Sequence, residues 1–393
     1  MLNPEPVANP VLRIKGRALL PIVQGGMGVG ISAHRLAGHV ARTGAVGTLS
    51  SVDLRRHHPD LMAQTLKSRD KELINRVNLL ALDRELRAAA EIANGNGMIA
   101  VNIMRAVSEY AANVRQSCES GVQAIVVGAG LPLDLPDLTE AYPDVALIPI
   151  LSDSRGIAIV LKKWLRKSRL PDAIVIEHPR YAGGHLGAAK IADLEDPRFD
   201  FPRVLEETFA VFRQLGIERE NVPLIPAGGI ATPAQVQALF ALGASAVQVG
   251  TPFAVTEESD AHANFKRVLT DAKPEDIVTF MSVAGLPARA VKTPWLEKYM
   301  IKLPVLQSRA KTRTDCTLAF DCLEQCGLRD GIERFGQFCI DHHLAAALAG
   351  DVERGLFFRG AASLPFGNQI RSVKDLIEYL LHGIVPAGLL PVA

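Results

Sequence analysis

The chain has 393 residues, 48% hydrophobic but only 5% aromatic, with 32 glycines and a formal net charge of +1. This length suits an α/β core of Val, Ile, Leu and Ala plus an addition better than one ordinary domain. The balanced charge argues against nucleic acid or an anionic membrane as partner, and no apolar stretch approaches the roughly 20 residues that span a bilayer.

In chain order, MLNPEPVANP carries prolines and a glutamate where a secretion signal needs a basic and then an apolar run, so a soluble, cytoplasmic protein is expected. Residues 1–18 read as an N-terminal arm. PIVQGGMGVGIS then gives a strand, a glycine-rich loop and a helix start. A dinucleotide fold is a poor reading of it, because no strand ending in an acidic residue follows at the ribose-binding distance. A unit of helix, glycine, short Ala/Val-rich strand and small residue then recurs, as RLAGHVARTGAVGTLSS, NVRQSCESGVQAIVVGAG and VQALFALGASAVQVGTP. Strands are expected at 21–25, 47–50, 99–103, 123–128, 146–150, 173–177, 222–227 and 246–250. Eight short apolar strands alternating with helices favour a (β/α)8 TIM barrel over an open sheet.

Chemistry in such a barrel sits at the C-terminal strand ends. These are Gln24-Gly25-Gly26-Met27, Ser50-Ser51, Asn102, Gly128-Ala129-Gly130, Ser152-Asp153-Ser154, Glu177 onward, Gly228-Gly229 and Gly250-Thr251. Backbone N–H groups and neutral hydrogen bonders suit a flat polar heterocycle better than a metal, which needs converging His, Asp or Glu. The stretch Val222–Phe253 holds the last two strand ends. Thr232 is the expected N-cap and Pro233 the first residue of the helix between them. Gly228, Gly229, Gly250 and Thr251 form an expected anion site, where barrels commonly hold a phosphate. The loop EHPRYAGGHLGAA is the exception to the neutral lining: Gly183 and Gly184 can bring His185 close to a bound ring. His178 is less favoured, and His34, His39, His57 and His58 read as structural or solvated.

Together QGGMGVGIS, VNIM, the AGGHLG loop, IPAGGI and VQVGTPF resemble the nitronate monooxygenase family, once called 2-nitropropane dioxygenases, which groups with FMN-dependent enoyl-acyl-carrier-protein reductases. The resemblance covers about residues 19–300, and weakly the final helix. It implies an FMN-binding barrel with a smaller, mostly helical lid inserted after the eighth strand. The phosphate grip maps onto Gly228, Gly229, Gly250 and Thr251, the isoalloxazine contacts onto Gly25, Gly26, Met27 and Asn102, and the catalytic histidine onto His185. The implied activity is oxidation of alkyl nitronates, and of nitroalkanes, with O2 to a carbonyl compound and nitrite. His185 would take the α-proton of a neutral nitroalkane, or stabilise the anion when protonated. The family's Gln-Gly-x-Glu before Ala-Gly-Gly-His is replaced here by His178-Pro179-Arg180-Tyr181, which makes the mouth of the site different. Two alternatives stay open: NAD(P)H-dependent reduction of an enoyl thioester or quinone, and a flavin-binding scaffold without turnover.

The expected division is barrel 19–275, cysteine-containing lid 276–370, and closing barrel helix with tail 371–393. In the lid, GLPARAV matches the family's segment after the barrel, with Arg289 as a structural anchor. Cys316, Cys322, Cys326 and Cys339 are separated by five, three and twelve residues, which fits no standard zinc ribbon or ferredoxin run. A metal or iron–sulfur site there stays open beside buried or surface thiols. The fifth cysteine leaves an odd count, unlike a secreted disulfide framework. A homodimer through the lid also stays open. The last helix should start at Ser372 and turn Leu376, Ile377, Leu380 and Leu381 inward.

Overall fold

A computed structural model describes residues 9–313 and 322–388. Within the span read as an N-terminal arm, the described residues form a hairpin. Strands β1 (Leu12–Ile14) and β2 (Arg17–Leu19) pair antiparallel across Lys15 and Gly16, both at positive φ, as a tight two-residue turn requires. Leu12, Ile14 and Leu19 are buried against the inward side chains of the barrel, so the hairpin plugs it.

All eight expected barrel strands form: β3 (Ile22–Gln24), β4 (Val46–Ser50), β5 (Met98–Met104), β6 (Ala124–Gly128), β7 (Ala146–Leu151), β8 (Ile174–Glu177), then β10 (Leu224–Ala227) and β11 (Val247–Val249). Between the last two groups lies β9 (Gly184–His185), outside the barrel. The eight parallel strands close in chain order, β11 pairing back to β3. They close because both faces are apolar. Val23, Val46, Ala100, Val126, Ile148, Val175 and Ile225 fill the barrel, while Val101, Val127, Ile176 and Leu224 meet the surrounding helices. Gln24, fully buried, accepts from the Thr48 N–H at 2.8 Å and donates to the Thr48 carbonyl at 3.0 Å, adding side-chain bonds where β3 and β4 share a single paired position.

The helix Pro233–Ala241 has a full capping box, with Thr232 and Gln235 satisfying each other's backbone N–H groups. The last helix, Val373–His382, starts from Ser372 and buries Leu376, Ile377, Leu380 and Leu381 against helices His34–Arg42 and Pro233–Ala241. The segment between β11 and this helix contains a hairpin that the sequence reading did not anticipate. β12 (Ile277–Met281) pairs with β13 (Pro287–Val291), and β13 pairs in turn with β9. Helices Pro294–Ser308 and Ile340–Leu348 complete it around Phe280, Leu296, Tyr299, Phe338 and Leu356. Among the described residues, no helix is long and apolar enough to cross a membrane.

Candidate active site

Side chains alternate along a strand, so residues two apart share a face. Continuing the inward rows toward the C-terminal ends gives Gly25, Ser50, Asn102, Gly128, Ile150, Glu177, Ala227 and Gln248 as the uppermost layer of the barrel. A cavity of about 550 Å³ opens above this layer, within the range of roughly 300–1,000 Å³ usual for cofactor pockets. Its wall includes Gly25, Gly26, Met27, Asn102, Gly183, Gly184, His185, Gly228, Gly229, Gly250 and Thr251, so the structure brings every residue singled out for cofactor or catalysis to one space.

Glycine is required at two of these positions by geometry. A Cβ at Gly26 would lie 2.3 Å from the Asn102 Cβ, and one at Gly229, at φ +78°, would lie 2.8 Å from the Tyr181 Cβ. Bare backbone therefore faces the cavity from β3 and from the turn after β10. Thr251 begins a single helical turn, and its Oγ1 accepts from the Gly360 N–H at 3.0 Å, tying that turn to the segment before the last helix. Exposed backbone together with the Asn102 amide and the Thr251 hydroxyl fits the flat ring and phosphate of a flavin.

His185 is held by the β12–β13 hairpin. Gly184–His185 pairs with Ala288–Arg289, and the Arg289 guanidinium donates to the Ala182 carbonyl at 2.5 Å and the Pro179 carbonyl at 3.1 Å, which fixes both sides of the loop. His185 Nε2 lies 2.8 Å from Ser282 Oγ, the ring meets Phe358 edge-on at 5.6 Å, and Nδ1 has no hydrogen bond among the described residues. Burial lowers the imidazole to about 4, so it is neutral at pH 7.

The uppermost layer also holds residues that the sequence reading left aside. Glu177 faces the cavity without a hydrogen-bond partner among the described residues, and burial raises its carboxyl to about 7. Gln248 presents its amide beside Gly25. The signal for both was present: each is the last inward residue of its strand. His178 lies elsewhere, buried between Tyr181 and Phe201 with Nε2 3.4 Å from Asp200. His34 and His58 flank buried Glu85 at 2.8 Å and 3.0 Å, and His57 Nε2 lies 2.8 Å from the Gly30 carbonyl. Of the four late cysteines, Cys322 lines the cavity, Cys326 is buried with Phe280 and Leu296 and Cys339 is partly buried, whereas Cys316 lies outside the described residues. Among the described residues no cluster of His, Cys, Asp or Glu could hold a metal ion.

His185 and Glu177 oppose each other in their effect on stability. Between about pH 4 and 6.5 the unfolded chain holds a His185 proton that the folded protein lacks, so this term raises stability as pH rises. From the ordinary glutamate range up to about 7 the folded protein holds a Glu177 proton that the unfolded chain has lost, so this term lowers stability as pH rises. Where the windows overlap the two cancel. Glu177→Gln should therefore make stability climb with pH through this window, by up to about 1.4 kcal/mol per pH unit more than in the parent protein. Urea melts of both proteins at a series of pH values check this; parallel profiles would contradict it.

A family model described as nitronate monooxygenase matches residues 13–383. The chain belongs to the nitronate monooxygenase family. Within it, the chain is 28% identical over 290 residues to a probable nitronate monooxygenase of Bacillus subtilis (strain 168), covering 71% of this chain and 78% of that protein. It is 26% identical over 293 residues to another from Staphylococcus saprophyticus, covering 71% and 77%. Two solved structures share its fold. FabK from Thermotoga maritima has a TM-score of 0.61 at 23% identity, covering 92% of this chain and 91% of that one. Nitroalkane oxidase from Streptomyces ansochromogenes has a TM-score of 0.61 at 19% identity, covering 92% and 94%. As a nitronate monooxygenase family member the protein is a flavin-dependent oxidoreductase.

Proposed function

We propose that the protein uses FMN and O2 to oxidise nitroalkanes and their nitronates to a carbonyl compound and nitrite. The observation that carries this reading is His185: a neutral imidazole on the cavity wall, held at Nε2 by Ser282. In the tautomer that donates Nε2–H to Ser282 Oγ, Nδ1 keeps its lone pair and can accept the α-proton of a nitroalkane. The protonated form of His185, as a standing cation for a nitronate, is disfavoured by the same burial. Gly228, Gly229, Gly250 and Thr251 would grip the FMN phosphate through backbone N–H groups, and Gly25, Gly26, Met27 and Asn102 would contact the ring. Gly183 and Gly184 would let His185 approach it. Bound flavin supplies the electron transfer and the reaction with O2. Segment 276–370 would act as the lid over barrel 19–275, with 371–393 closing the helical ring.

A second reading, NAD(P)H-dependent reduction of an enoyl thioester or quinone, is favoured by the apolar outer wall of the cavity at Val107, Leu323, Leu344 and Phe358. Anaerobic mixing of the purified flavoprotein with a nitroalkane or nitronate, and separately with NADPH, decides between them. Bleaching of the flavin by the nitro compound alone supports the first reading. Bleaching by NADPH alone supports the second. Bound flavin that reacts with neither would leave a scaffold.

A further inference from the structure

The cavity holds acids but no fixed cation. Its titratable lining side chains are Asp153, Glu177, Tyr181, His185, Cys322 and Asp341, and among the described residues no Lys or Arg lines it. Arg56 meets the Asp341 carboxylate at 2.8 Å and Arg289 the Ala182 carbonyl at 2.5 Å, both from outside the lining. Asp153 is engaged too, capping the helix Ser154–Leu165 by accepting from the Gly156 N–H at 2.8 Å. Glu177 has no such partner, and it is the one ionisable side chain in the uppermost inward layer of the barrel. The strands paired to β8 contribute Ile150 and Ala227 to that layer, so no charge faces Glu177 from either side. His178, next in the chain, lies apart between Tyr181 and Phe201. Glu177 is thus cut off from bulk water yet keeps part of its surface open to the cavity, and burial pushes its carboxyl up to about 7.

A flavin ring seated as proposed, against Gly25, Gly26, Met27 and Asn102, covers this layer. An electron pair delivered to the ring with a single proton leaves one negative charge in a space shielded from water. Such a charge is held by a cation, by N–H donors, or by a further proton. The lining offers no cation, and a carboxylate close by would oppose the charge. Two like charges about 6 Å apart, at an effective dielectric of about 20, shift a proton equilibrium by roughly a hundredfold. We propose that Glu177 takes up the balancing proton. When the ring gains an electron pair and one proton, a second proton passes from solvent to the Glu177 carboxylate, and the charge inside the cavity stays the same. The carboxyl gives that proton back when the ring is reoxidised. The inference rests on flavin binding as proposed above and on no particular substrate.

The flavin midpoint potential reads this directly. The FMN-loaded parent protein and Glu177→Gln are reduced by dithionite without oxygen, against reference dyes, from about pH 6 to about pH 9. At the acid end, where the carboxyl already holds its proton, the two potentials should agree. At the alkaline end the parent should be harder to reduce, by about a hundredfold in equilibrium constant or about 60 mV for a two-electron couple. Between these limits its potential should fall more steeply with pH than that of the variant, by one proton per electron pair. In the parent alone, an infrared difference spectrum of reduced minus oxidised protein at mildly alkaline pH should gain a carboxylic-acid band. Isotope-labelled glutamate should shift that band. Coincident lines of potential against pH overturn the proposal and put the balancing proton on the ring. A parent spectrum without the band overturns it whether or not the variant folds. Failure to take up FMN overturns this proposal and the proposed function together. A flavoprotein that shows the band and leaves nitroalkanes and nitronates untouched overturns the proposed function alone.

Discussion

Replacing His185 by Asn lowers turnover on a neutral nitroalkane by about 10²–10⁴-fold, the usual contribution of a positioned proton acceptor, while flavin stays bound. Asn is the informative choice because it removes the ring proton acceptor without adding bulk, while the backbone pairing of β9 with β13 keeps the loop in place. The flavin contacts proposed here come from other strand ends and do not use the imidazole. The effect should also depend on the substrate. A preformed nitronate needs no proton removed, so its oxidation by the variant should fall by less than about tenfold. The measurement is the anaerobic rate of flavin reduction by each form, with flavin content taken from the absorbance spectrum. Equal loss on both forms would move His185 from proton transfer to substrate binding, and no loss on either would remove it from the reaction.

The barrel was legible because strands buried on both faces are short continuous apolar runs, six of the eight stopped by glycine or a small hydroxyl residue. The eight strands lie within two residues of their expected bounds, and the closing helix was equally plain from Ser372 and its inward leucines. What was missed depends on partners distant in sequence. Two residues, Gly184 and His185, make a strand only because Ala288 and Arg289 lie beside them, about a hundred positions later. The N-terminal hairpin has three-residue strands, too short to show a period, and is held by the barrel end it plugs. Arg289 was recognised as an anchor, but that it holds the carbonyls of Pro179 and Ala182 is a fact of tertiary structure. Glu177 was visible as a strand end. Its importance appears only when the inward rows of all eight strands are compared and it is the one charge among them.

Replacing Arg56 by Met should cost about 3–5 kcal/mol of stability at neutral pH, the loss expected when one member of a buried charge network is removed. Arg56 follows the turn after β4 and joins the barrel to the lid. Its Nε bonds Asp53 and its Nη2 lies 2.8 Å from the Asp341 carboxylate, at the start of helix Ile340–Leu348. Asp53 is buried, held in the left-handed region at φ 51°, and also meets Arg55 at 2.7 Å. Asp341 is only 2% exposed, and burial together with Asp53 pushes its carboxyl up against the pull of Arg56. Without Arg56 that upward push is unopposed. The sign follows: an acid whose folded pKa is raised favours folding most when protonated, so the loss in Arg56→Met should be largest at alkaline pH and shrink as the pH falls. Urea melts over pH 5–8 measure it, and hydrogen exchange along helix Ile340–Leu348 shows whether the lid opens before the barrel. Pairing the change with Asp341→Leu should recover much of the loss, since the stranded carboxylate goes with its partner. Because Ile340, Asp341 and Leu344 line the cavity, a loosened lid should raise KM for the substrate before flavin is lost. Unchanged melts and unchanged exchange would mean that Arg56 does not clamp the lid, and that the apolar packing of Phe280, Leu296 and Phe338 holds it instead.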